Sequence, residues 1–369
     1  EFPMSPKYSK NPFINKKMFN LFGIRQWCVE LFQVCDAVIY RYLRGLMTAF
    51  NERAECLMTK LDEYADSLTP AHMHKLANSF ALDVIAKVAF GVDLDSLNIS
   101  DSPFPRAIEL CPKGTVHIID PTFFLRKNKK VVQEIEEAAQ FLRDTGATWI
   151  NERKKAVQNG EDVPMDILTQ ILKSAGNFNW YDNDDEIMLD NFITFFIAGH
   201  ETVANQISFA IMELGRQPEI LLRLKEEVDE VLGMKQEISY EDLGNLTYLT
   251  QVIYTIINSI KVPAGCGIML STYVSSRMDK FFKDPLTFDP ERFNLNAPKP
   301  YFCYYPFAFG PRACLGQNFS QMEAKVAMAK LLQRFDFSLV PGQSFGILST
   351  GTLRPQSEVI CMIKQRSSA

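Results

Sequence analysis

One thiol in this 369-residue chain has neighbours suited to metal chemistry. In the run Phe307-Ala308-Phe309-Gly310-Pro311-Arg312-Ala313-Cys314-Leu315-Gly316, glycine and proline bend a loop around Cys314, with Phe and Arg at fixed offsets. An apolar series follows at helical spacing, Leu315, Phe319, Met322, Val326, Ala329 and Leu332, and predicts a helix whose first turn starts at the cysteine. The unpaired N–H groups and positive dipole end of such a helix favour a thiolate over a thiol. A sulfur so placed is a metal ligand. One thiolate on an otherwise open iron is the arrangement in which electron density pushed from sulfur favours O–O cleavage.

A second set of reactive groups lies upstream, in Ala198-Gly199-His200-Glu201-Thr202. Glycine in a helix interior costs about 1 kcal/mol. A threonine hydroxyl can bond back to the carbonyl four residues earlier, here Ala198, which predicts a locally bent or opened turn with room for a small ligand. Thr202 and Ala198 share a face, Phe195 lies one turn earlier, and Glu201 is offset by about 100°. The result is a hydroxyl beside the opening with a carboxylate near it for proton supply. His200-Glu201 also begins the zinc-protease spelling His-Glu-x-x-His, but Ala204 stands at its fifth position. His72 and His74 point to different helix faces and His117 is isolated, so none of the three reads as a metal ligand.

The elements that must position these groups follow from periodicity. An amphipathic helix runs from Tyr40 to Asp66, and a buried one from Pro70 to Gly91. A proline-rich break from Pro103 to Pro121 allows at most short helices. Asn128 to Gln158 forms a charged surface helix, and Pro164 to Lys173 a short one. Asp184, Asp185 and Glu186 supply the acidic first turn of a long helix to about Arg216, apolar on nearly every side and therefore central. Pro218 opens the next helix and Gly233 stops it. Beyond Pro263, short runs suggest a few strands and turns, with a hairpin after Phe335. There is no internal repeat, low-complexity tract or domain linker.

With 47% hydrophobic residues, including 28 Phe and 14 Met, the chain can bury a large core and line an apolar pocket. Lys+Arg of 39 against Asp+Glu of 44 leaves a net charge of −5, which gives phosphate-driven nucleic-acid binding no support. The 8 cysteines contain no Cys-x-x-Cys pair and read as reduced thiols of a cytosol-facing protein. No uncharged apolar run reaches the roughly 18 residues of a membrane-spanning helix, and no signal peptide is visible. The chain opens on Glu1 rather than Met and reads as incomplete.

The cysteine run resembles the haem-binding signature of the cytochrome P450 superfamily, Phe-x-x-Gly-x-Arg-x-Cys-x-Gly, at every fixed position. The resemblance implies that Cys314 is the axial ligand of haem b, that Arg312 pairs with a propionate, that Phe307 packs near the sulfur, and that Gly310 and Gly316 let the loop approach the porphyrin. The Ala198–Thr202 pentapeptide is similar to the superfamily's Ala/Gly-Gly-x-Asp/Glu-Thr motif, which gives Thr202 and Glu201 the delivery of protons during oxygen activation. Pro290-Glu291-Arg292-Phe293 matches a further element, whose Arg joins a salt-bridge triad below the haem. The implied fold is mainly α with a small β part, built around the long central helix. It lacks parts of the N-terminal sheet and the Glu-x-x-Arg helix.

Two departures stand out. Gln251 to Pro263, where the Glu-x-x-Arg helix belongs, holds neither Glu nor Arg, and Glu213-x-x-Arg216 comes one helix too early. Arg292 is therefore expected to lack its usual partners. The Trp-x-x-x-Arg pair that grips the propionates fails at Trp27, which is followed by Leu31, while Trp149-x-x-x-Arg153 is a chance spelling on the surface helix. Residues 1–39 stay unassigned, and 40–369 read as one catalytic domain with a seam near 257–261.

Long blocks at Asp166–Leu172, Asp190–Thr202 and Met322–Arg334 resemble the cholesterol 24-hydroxylase subfamily. They imply a sterol or lipid hydroxylase on the cytosolic face of the endoplasmic reticulum membrane, using dioxygen and electrons from an NADPH-dependent reductase. Phe195, Ala198 and Gly199 would then face the substrate. The rival reading is a non-catalytic, haem-poor remnant that binds at most a lipid or a partner.

Overall fold

The computed structural model describes residues 43–99, 102–117, 129–164, 166–169, 172, 184–253, 272–294, 296–297, 304–308, 313–349 and 352–366. In chain order, helix α1 spans Met47–Ser67, strand β1 Ala71–His72, α2 Met73–Phe90, α3 Pro103–His117, α4 Lys129–Gln158 and α5 Asp184–Arg216. Then come α6 (Pro218–Leu232), α7 (Tyr240–Asn245), α8 (Thr247–Ile253), α9 (Thr272–Ser275), a 3-10 turn (Pro290–Phe293) and α10 (Gln317–Arg334). The strands β2 (Phe335–Leu339), β3 (Ile347–Ser349), β4 (Leu353–Pro355) and β5 (Ile360–Gln365) close the chain. The structure is mainly helical with a small β part, and the described residues form two compact units.

The first unit holds His72–Ser208 and Gly342–Ile360. Its inner helix α2 is buried along nearly its whole length, as its apolar sequence requires, and stops at Gly91, whose φ of 68° suits glycine. α4 turns its charges outward and buries Ile135, Ala138, Ala139, Leu142, Gly146 and Ile150. Gly146 permits the close crossing with α5, since a Cβ there would lie 2.6 Å from the Phe192 ring. Around this crossing Phe90, Phe104, Trp149, Phe192 and Phe196 cluster, with Phe104 and Trp149 stacked at 5.7 Å and the Phe90 and Phe192 rings tilted against each other at 4.4 Å. Trp149 and Arg153 thus serve the core of this unit. The Arg153 guanidinium donates to Asp166 at 2.6 Å, to Thr169 at 2.6 Å and to the Phe90 carbonyl at 2.9 Å.

α3 corrects the expectation of at most short helices after Pro103, because it runs for 15 residues. Pro103 and Pro105 sit in its first turn, where a missing N–H breaks no hydrogen bond. β3 and β4 pair antiparallel, with Ile347 opposite Pro355 and Ser349 opposite Leu353.

The second unit holds the described residues up to Ala71, Phe209–Pro341 and those from Cys361. Phe50 of α1 meets Phe319 of α10 edge to face at 5.2 Å, and Arg334 reaches Glu55 and Asp62 on α1. Lys330 donates to Glu55 at 3.1 Å and to the Gln236 carbonyl at 2.6 Å. Glu227 of α6 caps α8 by accepting the Tyr248 and Leu249 backbone N–H groups at 2.5 and 2.8 Å. β2 pairs antiparallel with β5 from Phe335 opposite Gln365 to Leu339 opposite Cys361, so the expected terminal hairpin is a strand pair that brackets β3 and β4. Between 272 and 334 the described residues contain no strand. The seam at 257–261 and residues 1–39 lie outside the described residues.

Candidate functional site

In the second unit, the Cys314 N–H donates to the Phe307 carbonyl at 2.7 Å and the Ala308 N–H to the Tyr305 carbonyl at 3.0 Å. Ala308 takes the left-handed conformation, φ 59°, to close this turn. Phe307, Cys314 and Gly316 are therefore brought together in one loop, while Gly310 and Arg312 lie outside the described residues. Gly316 is the N-cap of α10, and Ser320 N–H bonds to its carbonyl at 2.8 Å. The cysteine accordingly precedes the helix by a turn rather than opening it.

The sulfur accepts a hydrogen bond from the Gly316 N–H, but partial withdrawal of the thiol from water outweighs it and pushes the Cys314 pKa up. The expected thiolate preference is thus not a property of the loop alone; a bound metal displaces the proton. Of the three cysteines whose side chains are described, Cys56, Cys314 and Cys361, only Cys314 is exposed. A Cβ on Gly316 would meet only this sulfur, at 3.9 Å, so flat backbone lies beside the thiol.

In the first unit, α5 carries the second set of groups. The helix is continuous through Ala198–Thr202, which corrects the expected opened turn. The back-bond itself is present: the Thr202 hydroxyl donates to the Ala198 carbonyl at 2.6 Å. Gly199 has a packing role instead of facing a substrate, since a Cβ there would fall 2.6 Å from Ile85 Cδ1 on α2. Ala198 and Thr202 are exposed and Phe195 is half-buried, whereas His200, Val203 and Ala204 are buried. An exposed alanine and threonine one turn apart, with His200, Val203 and Ala204 buried beside them, mark an open stripe.

Glu201 is held by groups that sequence spacing did not reveal. Its Oε1 accepts a hydrogen bond from the Thr352 hydroxyl at 2.8 Å, and the Thr352 oxygen accepts one from Asn205 Nδ2 at 3.2 Å. His200 is buried and its pKa falls to about 4, chiefly because burial disfavours the cation, so it is neutral at physiological pH. His74 Nδ1 lies 3.0 Å from the Ser208 hydroxyl. No cluster of three or more metal-ligating side chains occurs among the described residues.

Arg292 is not left without partners: it donates to the Lys283, Asp284 and Thr287 carbonyls, the last two at 2.6 and 3.1 Å, none of them the glutamate of a Glu-x-x-Arg pair. Glu213 and Arg216 form a local pair at 2.9 Å at the end of α5.

A model of the cytochrome P450 family matches residues 3–256 and 254–361. The chain belongs to the cytochrome P450 family. Its relatives within the family are diverse. It is 26% identical over 355 residues to cytochrome P450 4d2 of Drosophila melanogaster, covering 85% of this chain and 70% of the relative. It is 26% identical over 404 residues to mouse cytochrome P450 3A41, covering 96% and 79%. Secologanin synthase 1 of Catharanthus roseus is 26% identical over 400 residues, covering 95% and 74%.

Members of the cytochrome P450 family are haem monooxygenases, and the described residues fit the cofactor. A haem iron asks the chain for one sulfur, because the porphyrin supplies four ligands itself, and Cys314 is an exposed, unpaired thiol beside a glycine with no side chain in the way. No described helix of this cytochrome P450 is long and apolar enough to cross a membrane.

Proposed function

We propose that this cytochrome P450 hydroxylates a sterol or related apolar lipid, with Cys314 as axial ligand and the open stripe of α5 as the oxygen-activating face. The observation that carries the reading is the exposed, free Cys314 thiol in the loop before α10; Ala198 and Thr202, exposed one turn apart on α5, support it. Haem held by Cys314, with Phe307 and Gly316 beside it and Gly310 and Arg312 by resemblance, supplies dioxygen activation with electrons from NADPH through a reductase. One oxygen atom enters a C–H bond and the other leaves as water, so the reaction consumes two electrons and two protons.

The chain's own work is to supply those protons and exclude stray water. Thr202 holds a hydroxyl on the open stripe, and Glu201, one residue earlier, is the carboxyl that exchanges protons with solvent. Phe195 and Ala198 offer apolar contact to the substrate. The sterol assignment is supported by the three subfamily-like blocks, one of which is the open stripe itself. Placement on the cytosolic face of the endoplasmic reticulum membrane goes with that assignment.

Thr202→Ala is expected to divert reducing equivalents toward peroxide, raising peroxide per NADPH about tenfold or more, since positioned proton transfer contributes on the order of a hundredfold. Unchanged coupling of NADPH use to product would move the role to another group. The second reading, a haem-poor remnant, is favoured by one observation: the family match comes in two segments that meet at 254–256, next to a stretch, 251–263, whose sequence holds neither Glu nor Arg. Haem bound per chain separates the two readings.

A further inference from the structure

We propose that Thr352 and Asn205 are positioning residues that fix the Glu201 carboxylate for proton delivery, an inference that rests on the assignment of Glu201 above. Asn205 follows Glu201 by one helical turn on the same face of α5, and Thr352 immediately precedes β4. The polarity of the chain of hydrogen bonds is set by chemistry. A hydroxyl has one proton and a carboxylate only accepts, so Thr352 gives its proton to Glu201 Oε1 at 2.8 Å. The Thr352 oxygen can then only accept, which places the NH2 group of Asn205, not its carbonyl, toward it at 3.2 Å.

That orientation leaves Asn205 Oδ1 buried with no hydrogen-bond partner among the described residues. A residue kept for packing alone would be served better by an apolar side chain, because an orphaned buried carbonyl is destabilising. The orphan is the consequence of pointing the amide at Thr352. Held through Oε1 by a charge-assisted hydrogen bond, Glu201 keeps Oε2 as the oxygen that takes up and releases protons. The hydroxyl of Thr352 thus restricts which carboxylate oxygen works, and Asn205 restricts which way that hydroxyl points.

The test compares Thr352→Val, which keeps the shape and loses the hydroxyl, with Thr352→Ser, which keeps the hydroxyl. In haem-loaded enzyme, Thr352→Val is expected to raise peroxide per NADPH roughly tenfold, as misplacement of a catalytic group does, and Thr352→Ser to restore coupling. Independently of haem, a thermal double-mutant cycle of Thr352→Val with Glu201→Gln in the full chain should be non-additive by about 2 °C. Additive midpoints, or normal coupling in Thr352→Val while Glu201→Gln is uncoupled, would overturn the positioning role. Normal coupling in Glu201→Gln itself would instead overturn the proton-delivery assignment, and the positioning role would fall with it.

Discussion

Cys314→Ser is expected to abolish the thiolate-type carbon monoxide difference spectrum of the reduced, haem-loaded chain. Serine keeps the size and the loop's backbone hydrogen bonds, so the substitution removes the soft ligand and little else; a surface change of this kind alters stability by about 0.5 kcal/mol or less. Neither of the other two cysteines whose side chains are described is suited to take over. Cys361 is buried and its pKa is pushed up to about 12 by burial, and Cys56 is half-buried on α1. A variant that still shows the thiolate-type spectrum would rule out the assignment of Cys314, whatever its activity.

The second large effect is expected at Glu323, in the middle of α10. Its side chain is sealed from solvent and neither carboxyl oxygen has a hydrogen-bond partner among the described residues, whereas Lys330 two turns on is paired with Glu55. Burial pushes the Glu323 pKa well above the usual carboxylate range. The native state therefore keeps a proton that the unfolded chain releases above about pH 4.3. Stability from this group is present below that pH and is lost as pH rises toward the folded pKa. Glu323→Met should remove this slope and stabilise the chain by about 1–3 kcal/mol at pH 8, the range for an unpaired buried polar group. Urea unfolding from pH 5 to 8 reads both quantities. An equally steep decline in the methionine variant would place the pH dependence elsewhere.

Much of the helical frame was legible because its ends carry local chemistry. The acidic turn at Asp184 and Pro218 and Gly233 mark α5 and α6 where the structure has them, within a residue. α3 is hard to read from sequence because its prolines look like breakers: Pro103 and Pro105 fall in the first turn, where they break no hydrogen bond, whereas Pro112 sits in the helix interior and gives no local sign that the helix continues. The start of α10 was placed too early because apolar spacing continues back to Leu315, although that residue is exposed in the turn before the helix.

At the candidate site, motif spacing points to Cys314, Glu201 and Thr202 but not to what holds them. Thr352 is 151 residues from Glu201, and no local pattern connects a hairpin threonine to a helix carboxylate. Asn205, one turn from Glu201, was within reach of the helical-face argument. Arg292 shows the same limit from the other side. Losing a family partner did not orphan its guanidinium, because nearby loop carbonyls satisfy it.

The most direct test of the haem-thiolate account is the carbon monoxide difference spectrum of the purified, reduced chain after expression with haem supplied, normalised to protein. The account predicts a thiolate-type band corresponding to a substantial share of one haem per chain. A chain that folds, with a cooperative thermal transition, yet shows no such band would contradict it and leave the haem-poor remnant as the reading that fits.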